Sequence, residues 1–141
     1  KELWTAVKRE ADEQIRSLPK RIISGSDLSG EAIQAARRNK RELPYGDRIQ
    51  LRVRDFREIE DLRNHFIVTN PPYGVRLGKG KDLAGLYKAF GDFLKQRCKD
   101  STAYIYFGNR ALIPNIGLRP SWKRPLKSGG LDGRLVKFEI Y

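Results

Sequence analysis

Asn70-Pro71-Pro72-Tyr73 brings together, in four residues, a side-chain amide oxygen, a main-chain carbonyl stiffened by two prolines, and an aromatic face. That set suits one chemical problem. An exocyclic amine on a purine is a poor nucleophile because its lone pair is delocalised into the ring. A catalyst must therefore hold both N–H groups and aim the nitrogen at an electrophilic methyl. The Asn70 side-chain oxygen and the Pro71 carbonyl can each accept one of those hydrogen bonds. Successive prolines fix the backbone, so the acceptors are oriented before substrate arrives. Tyr73 offers a surface on which a base can stack, worth about 1–3 kcal/mol per base. Taken by itself, the same string also reads as an ordinary strand-terminating turn.

Two carboxylates upstream supply context. Asp27 and Asp55 each follow a β-leaning stretch, as Asn70 does, and in open α/β sheets ligands bind beyond the carboxyl ends of strands. A carboxylate there presents two oxygens at the spacing of two ribose hydroxyls, which fits Asp27. Asp27 beside Ser29 equally fits a helix-start residue. Asp55 can accept from the amino group of an adenine while the Phe56 backbone amide donates to its ring. A solvated turn aspartate among arginines is the alternative for Asp55.

The elements that must position these groups follow from periodicity. Leu3, Trp4, Val7, Ala11, Ile15 and Leu18 share one side of a helix predicted over residues 2–18 and ended by Pro19. Residues 21–26 read as a strand. A second helix starts at the cap Ser29, faces Ala32, Ile33, Ala36 and Leu43 inward, and ends in Arg37, Arg38, Lys40 and Arg41, which suits the negative end of its dipole. Residues 48–54 alternate as a strand with one wet side, near a sheet edge. Residues 65–69 are a short apolar run, expected as a fully buried strand. Asp82 caps a helix running through Cys98, residues 102–108 form another buried strand, and residues 121–126 and 134–141 form a hairpin. Helix and strand alternate until the last third. The order calls for an α/β fold: a mainly parallel sheet with helices on both faces and an antiparallel finish.

Composition narrows the partners. A net charge of +12 spread over 141 residues belongs to a folded surface and favours a polyanion, nucleic acid above all. No apolar run approaches the roughly 20 residues of a membrane-spanning helix, and no signal-peptide pattern is present, so a soluble cytoplasmic protein is expected. One cysteine, Cys98, and one histidine, His65, make metal catalysis by the common nitrogen and sulfur ligands an unfavoured reading, and no metal is expected. Gly78-Lys79-Gly80-Lys81 lacks the spacing and the hydroxyl residue of a phosphate loop. It reads instead as a basic loop near substrate, with Arg76, Lys79 and Lys81 as RNA contacts. Arg119, Lys123, Arg124, Lys127, Arg134 and Lys137, interleaved with Trp122 and Phe138, form either an RNA-facing patch or a solvated hairpin face.

The series Ser24-Gly25-Ser26-Asp27-Leu28-Ser29, Val53-Arg54-Asp55-Phe56 and Ile67-Val68-Thr69-Asn70-Pro71-Pro72-Tyr73-Gly74-Val75-Arg76-Leu77 resembles the amino-group methyltransferases. In particular it looks like the bacterial ribosomal RNA guanine-N2 methyltransferases that carry a THUMP domain before a Rossmann-like catalytic domain. The continuation Gly74-x-Arg76-Leu77 sets it nearer to that subgroup than to DNA adenine methylases, and the likeness extends from Trp4 in the first helix to the basic stretch 122–127.

The resemblance implies S-adenosylmethionine as cofactor and an exocyclic base amine in RNA as substrate. It implies that Asp27, with Leu28, holds the cofactor ribose and that Asp55 and Phe56 hold its adenine. Asn70 adjoins the cofactor and, with Pro71, Pro72 and Tyr73, forms the catalytic element that takes the base. Lys123, Arg124 and Lys127 would meet RNA. DNA adenine, a protein glutamine amide, or a non-catalytic RNA-binding role are the alternatives. The family pattern also has an earlier, central strand with an Asp-x-x-x-Gly-x-Gly loop. Residues 1–141 are accordingly expected to be the C-terminal part of a catalytic domain, unable to turn over without that segment.

Overall fold

The structure, a computed structural model, describes residues 2–74, 82–128 and 130–141, and the chain divides into two compact units at the Asp55–Phe56 bond. The N-terminal unit contains α1 (Glu2–Glu13), β1 (Ser24–Asp27), α2 (Gly30–Lys40) and β2 (Gln50–Val53). The C-terminal unit contains β3 (Phe66–Thr69), α3 (Leu83–Arg97), β4 (Ser101–Phe107), a 3-10 helix (Arg110–Ile116), β5 (Trp122–Ser128) and β6 (Leu131–Ile140).

In the N-terminal unit β1 and β2 are parallel, with Asp27 opposite Val53. The Ser29 hydroxyl accepts from the Ala32 amide at 3.2 Å and caps α2, as the sequence predicts. The basic last turn does more than complement the helix dipole. Lys40 donates to the Ile49 carbonyl at 2.7 Å and Arg37 to the Leu51 carbonyl at 3.1 Å, tying the helix to β2. Of the four residues expected to face inward only Ile33 is buried; Ala36 is half-buried, and Ala32 and Leu43 are exposed.

The first helix stops at Glu13, five residues before the predicted end. Asp12 and Glu13 sit at the negative end of its dipole with no cation in the last turn, which disfavours continuation. Arg48 then takes the extended segment, donating to the Ser17 hydroxyl at 2.9 Å and to the Leu18 carbonyl at 2.5 Å. The apolar stripe of α1 is exposed, Leu3 at 79% and Trp4 at 71%.

The C-terminal unit is built on a four-stranded sheet ordered β3-β4-β6-β5, parallel between β3 and β4 and antiparallel elsewhere. Parallel pairs followed by an antiparallel hairpin are what the α/β reading expects, although the described strands form two sheets and not one. One face of the four-stranded sheet carries Ala103, Ile105, Phe107, Val136, Phe138 and Ile140. These pack with Tyr87, Phe93 and Leu94 of α3 and with Leu112, Ile113 and Ile116 of the 3-10 helix. Cys98, where α3 ends, is fully buried in this core, and burial pushes its thiol up to about 11. β3 is not fully buried as expected. Ile67 and Thr69 are half-covered while Phe66 is 80% and Val68 79% exposed, because among the described residues β3 has a neighbour on one side only and its second face is uncovered. His65 is exposed at the start of this strand, with its backbone amide on the Ser101 hydroxyl.

Gly91 lets α3 approach the 3-10 helix: a Cβ there would lie 1.9 Å from the Ile116 carbonyl oxygen, a main-chain atom that cannot turn aside. Gly91→Ala is therefore expected to destabilise by about 1–3 kcal/mol, the overpacking penalty outweighing the ~1 kcal/mol gain in helix propensity. Urea denaturation checks this; an unchanged or raised midpoint would contradict it.

Candidate active site

In the N-terminal unit the Asp27 Oδ1 accepts the Ser29 amide at 2.7 Å, so the helix-start role is realised. It occupies one oxygen only. The residue is exposed, and among the described residues its Oδ2 makes no hydrogen bond. The Asp27 carbonyl accepts from the Arg54 amide at 3.0 Å, which brings the end of β2 alongside. Asp55 follows directly and is half-buried, and Leu28 is 70% exposed. These residues thus lie where two parallel strands end, as expected.

Phe56 opens the C-terminal unit. Its ring stands edge-on to Phe90 and Phe93 of α3 at 5.2 and 5.5 Å. The side chain is committed to packing, so its backbone amide is the group left for a ligand. Asn70 follows β3 immediately and is exposed. The Pro71 carbonyl oxygen faces the Tyr87 hydroxyl at 3.5 Å, a long contact that leaves the carbonyl a second lone pair. Burial, and secondarily the neighbouring Tyr73, pushes the Tyr87 hydroxyl up to about 12, so it stays a donor at neutral pH. Tyr73 is half-buried, edge-on to Tyr106 at 6.2 Å, and its ring lies over Gly108, 2.7 Å or less from where a Cβ would stand.

Tyr73 also lines an open cleft of about 590 Å³ with Gly108, Asn109, Arg110, Ala111 and Asp132. Sequence reasoning missed the last five. Gly108 and Asn109 follow β4 as Asn70 follows β3, so the same rule, applied to the next strand, points to them. Asp132 arrives from the start of β6, whose antiparallel register sets Arg134 opposite Phe107. Asp132 accepts from Arg134 at 2.6 Å and faces Arg110 at 3.5 Å. The Arg134 hydrogen bond, with the charges of Arg134, Arg110 and Lys127, holds its carboxyl below the usual range.

The hairpin cations, read from the sequence as either an RNA-facing patch or a solvated hairpin face, do not all point to one side. Lys123 and Lys127 project from one side of β5 and Arg124 from the other, where it lies over the Trp122 ring at 4.8 Å. All three are exposed on an edge strand. Arg134 and Lys137 are paired with Asp132 and Glu139, and Phe138 is core. Arg76, Lys79 and Lys81 lie outside the described residues. Among the described residues no group of His, Cys, Asp and Glu could hold a metal, and no helix is long and apolar enough to cross a membrane.

Carboxylates ending one parallel pair, a proline-stiffened amide ending a strand of another, and an antiparallel hairpin beside it are features of a Rossmann-like α/β domain of the methyltransferase class. The family described as RMKL-like, methyltransferase domain, matches residues 1–137, and the chain belongs to it. It is 37% identical over 141 residues to "Putative RNA methyltransferase slr0064" of Synechocystis, covering 99% of this chain and 37% of that protein. It is 32% identical over 151 residues to the ribosomal RNA large subunit methyltransferase K/L of Syntrophotalea carbinolica, covering 99% of this chain and 20% of that one. The chain thus spans well under half the length of these relatives. A solved structure described as "SMU.472, a putative methyltransferase complexed with SAH" superposes with a TM-score of 0.80 at 29% identity, over 97% of this chain and 36% of its own.

Proposed function

We propose that this chain is part of one catalytic domain of an S-adenosylmethionine-dependent RNA methyltransferase acting on an exocyclic base amine, guanine N2 of ribosomal RNA, in the cytoplasm. The observation that carries the reading is the end of β3. An exposed Asn70, a Pro71 carbonyl with a lone pair to spare and a Tyr73 ring seated on Gly108 stand in consecutive reach. The RNA-directed names of the relatives and the net charge of +12 support a nucleic-acid substrate.

The residues fit the cofactor. Asp27 keeps one carboxylate oxygen for ribose hydroxyls while Ser29 orients the other, with Leu28 beside it. Asp55 accepts from the adenine amino group and the Phe56 amide donates to its ring. When bound, S-adenosylmethionine supplies an electrophilic methyl. Asn70 Oδ1 and the Pro71 oxygen accept the two N–H groups of the target amine, turning its nitrogen lone pair out of the ring system and toward that methyl, and Pro72 fixes the turn. Tyr73 stacks on the base. Lys123, Arg124 and Lys127, with Arg76, Lys79 and Lys81, meet phosphates.

The intact protein, incubated with cofactor labelled in its methyl group and with separate RNA, DNA and protein fractions, is expected to label RNA. Digestion should release N2-methylguanosine. Label confined to DNA or protein, or transfer to none of the three, overturns the proposal.

A further inference from the structure

The cleft beside Tyr73 places a donor and an acceptor side by side at the carboxyl ends of β3 and β4. Arg110 Nη1 and Asp132 Oδ2 are 3.5 Å apart, too far for a tight charged hydrogen bond, and both side chains are more than half exposed. Each therefore keeps capacity for a ligand. The Asp132 carboxylate is aimed by its own strand, since Arg134 Nη1 bonds its Oδ1 at 2.6 Å and the Gly133 carbonyl at 2.7 Å. An ionised carboxylate has about four lone-pair sites, of which this network uses two. Arg110 is set in turn by the capped start of its helix, where Asn109 Oδ1 accepts the Ala111 amide at 3.0 Å.

Behind Tyr73 the Tyr106 ring stands edge-on at 6.2 Å, and its buried hydroxyl, without a hydrogen-bond partner among the described residues, sits so close to Gly133 that a Cβ there would lie 2.2 Å from it.

We infer that Arg110 and Asp132 select guanine, Arg110 donating to O6 and Asp132 accepting N1–H of the base stacked on Tyr73. This rests on the reading that the site methylates a base amine in RNA. The edge of guanine presents, in order, an acceptor (O6), a donor (N1–H) and the N2 amine. Arg110 and Asp132 offer the donor and the acceptor that O6 and N1–H require, and the N2 amine is the group the proposed function assigns to Asn70 and Pro71. Adenine presents an amine, an acceptor at N1 and no third group, so it would set its N1 lone pair against the Asp132 carboxylate.

The test uses the intact protein and the RNA methylated in the preceding experiment, with its target guanosine retained or replaced by 2-aminopurine. That base keeps the N2 amine but lacks O6 and N1–H. The unaltered protein should prefer guanine by roughly 10- to 100-fold in kcat/KM. Asp132→Ala and Arg110→Ala should each lower transfer to guanine while sparing transfer to 2-aminopurine, bringing the ratio toward one. A merely structural role would slow both bases alike, and an unchanged ratio in both variants overturns the inference while leaving the methyltransferase reading intact. Transfer to no RNA at all overturns the underlying reading and this inference with it.

Discussion

Replacing Asn70 by alanine is expected to lower kcat for methyl transfer by on the order of 10²–10³, with a smaller change in KM for RNA. The asymmetry follows from the role proposed for the side chain. An amine conjugated to a purine ring becomes nucleophilic only as its nitrogen departs from planarity, and its N–H bonds are most polarised at that moment. An acceptor fixed in place ahead of the reaction stabilises that state more than the ground state. Asn70 is exposed and makes no hydrogen bond to any described residue, so its removal should shift stability by no more than about 0.5 kcal/mol. Asn70→Asp keeps an acceptor oxygen and should fall between the two. A loss of less than tenfold in the alanine variant, with normal thermal unfolding, would take Asn70 out of the chemistry.

What the sequence displayed most clearly was local. Ser29 and Asp82 announce their helices because a short polar side chain meets a free amide three residues on, a bond written within one turn of chain. Asn70 to Tyr73 is legible for the same reason, since two prolines and an amide restrict their own backbone whatever surrounds them. The misses share an opposite cause. Residues 65–69 look buried because a short apolar run does not say how many of its faces are covered, and here β3 exposes Phe66 and Val68. The segment that replaces the predicted last turns of α1 is held by Arg48, which donates to the Leu18 carbonyl thirty residues away. Phe138 among the cations is core because the antiparallel register sets it opposite Ala103, a pairing that no run of basic residues encodes. The cleft was hidden most deeply. It joins Tyr73 to a loop after β4 and to the first residues of a hairpin strand, so only the sheet order brings Asp132 to it.

Gly108 offers the most severe test of how Tyr73 is held. A methyl group there would stand 2.6 Å from the Tyr73 ring, well inside van der Waals contact, whereas the ring is half-buried and has open space on its cleft side. The ring should therefore swing outward and leave the backbone in place. Gly108→Ala is expected to reduce kcat/KM about 10²-fold, since displacing a stacking surface by an ångström spoils the aim of the amine, with only a small loss of stability. Tyr73→Ala removes the stacking surface altogether and should cost about 1–3 kcal/mol in RNA binding. The decisive measurement is the double variant. If Gly108 acts by seating Tyr73, the clash no longer exists once the ring is gone, and Gly108→Ala should add almost nothing to Tyr73→Ala in the cycle. Additive losses would mean that Gly108 works through some other neighbour, and the seating of Tyr73 would then explain nothing about the rate.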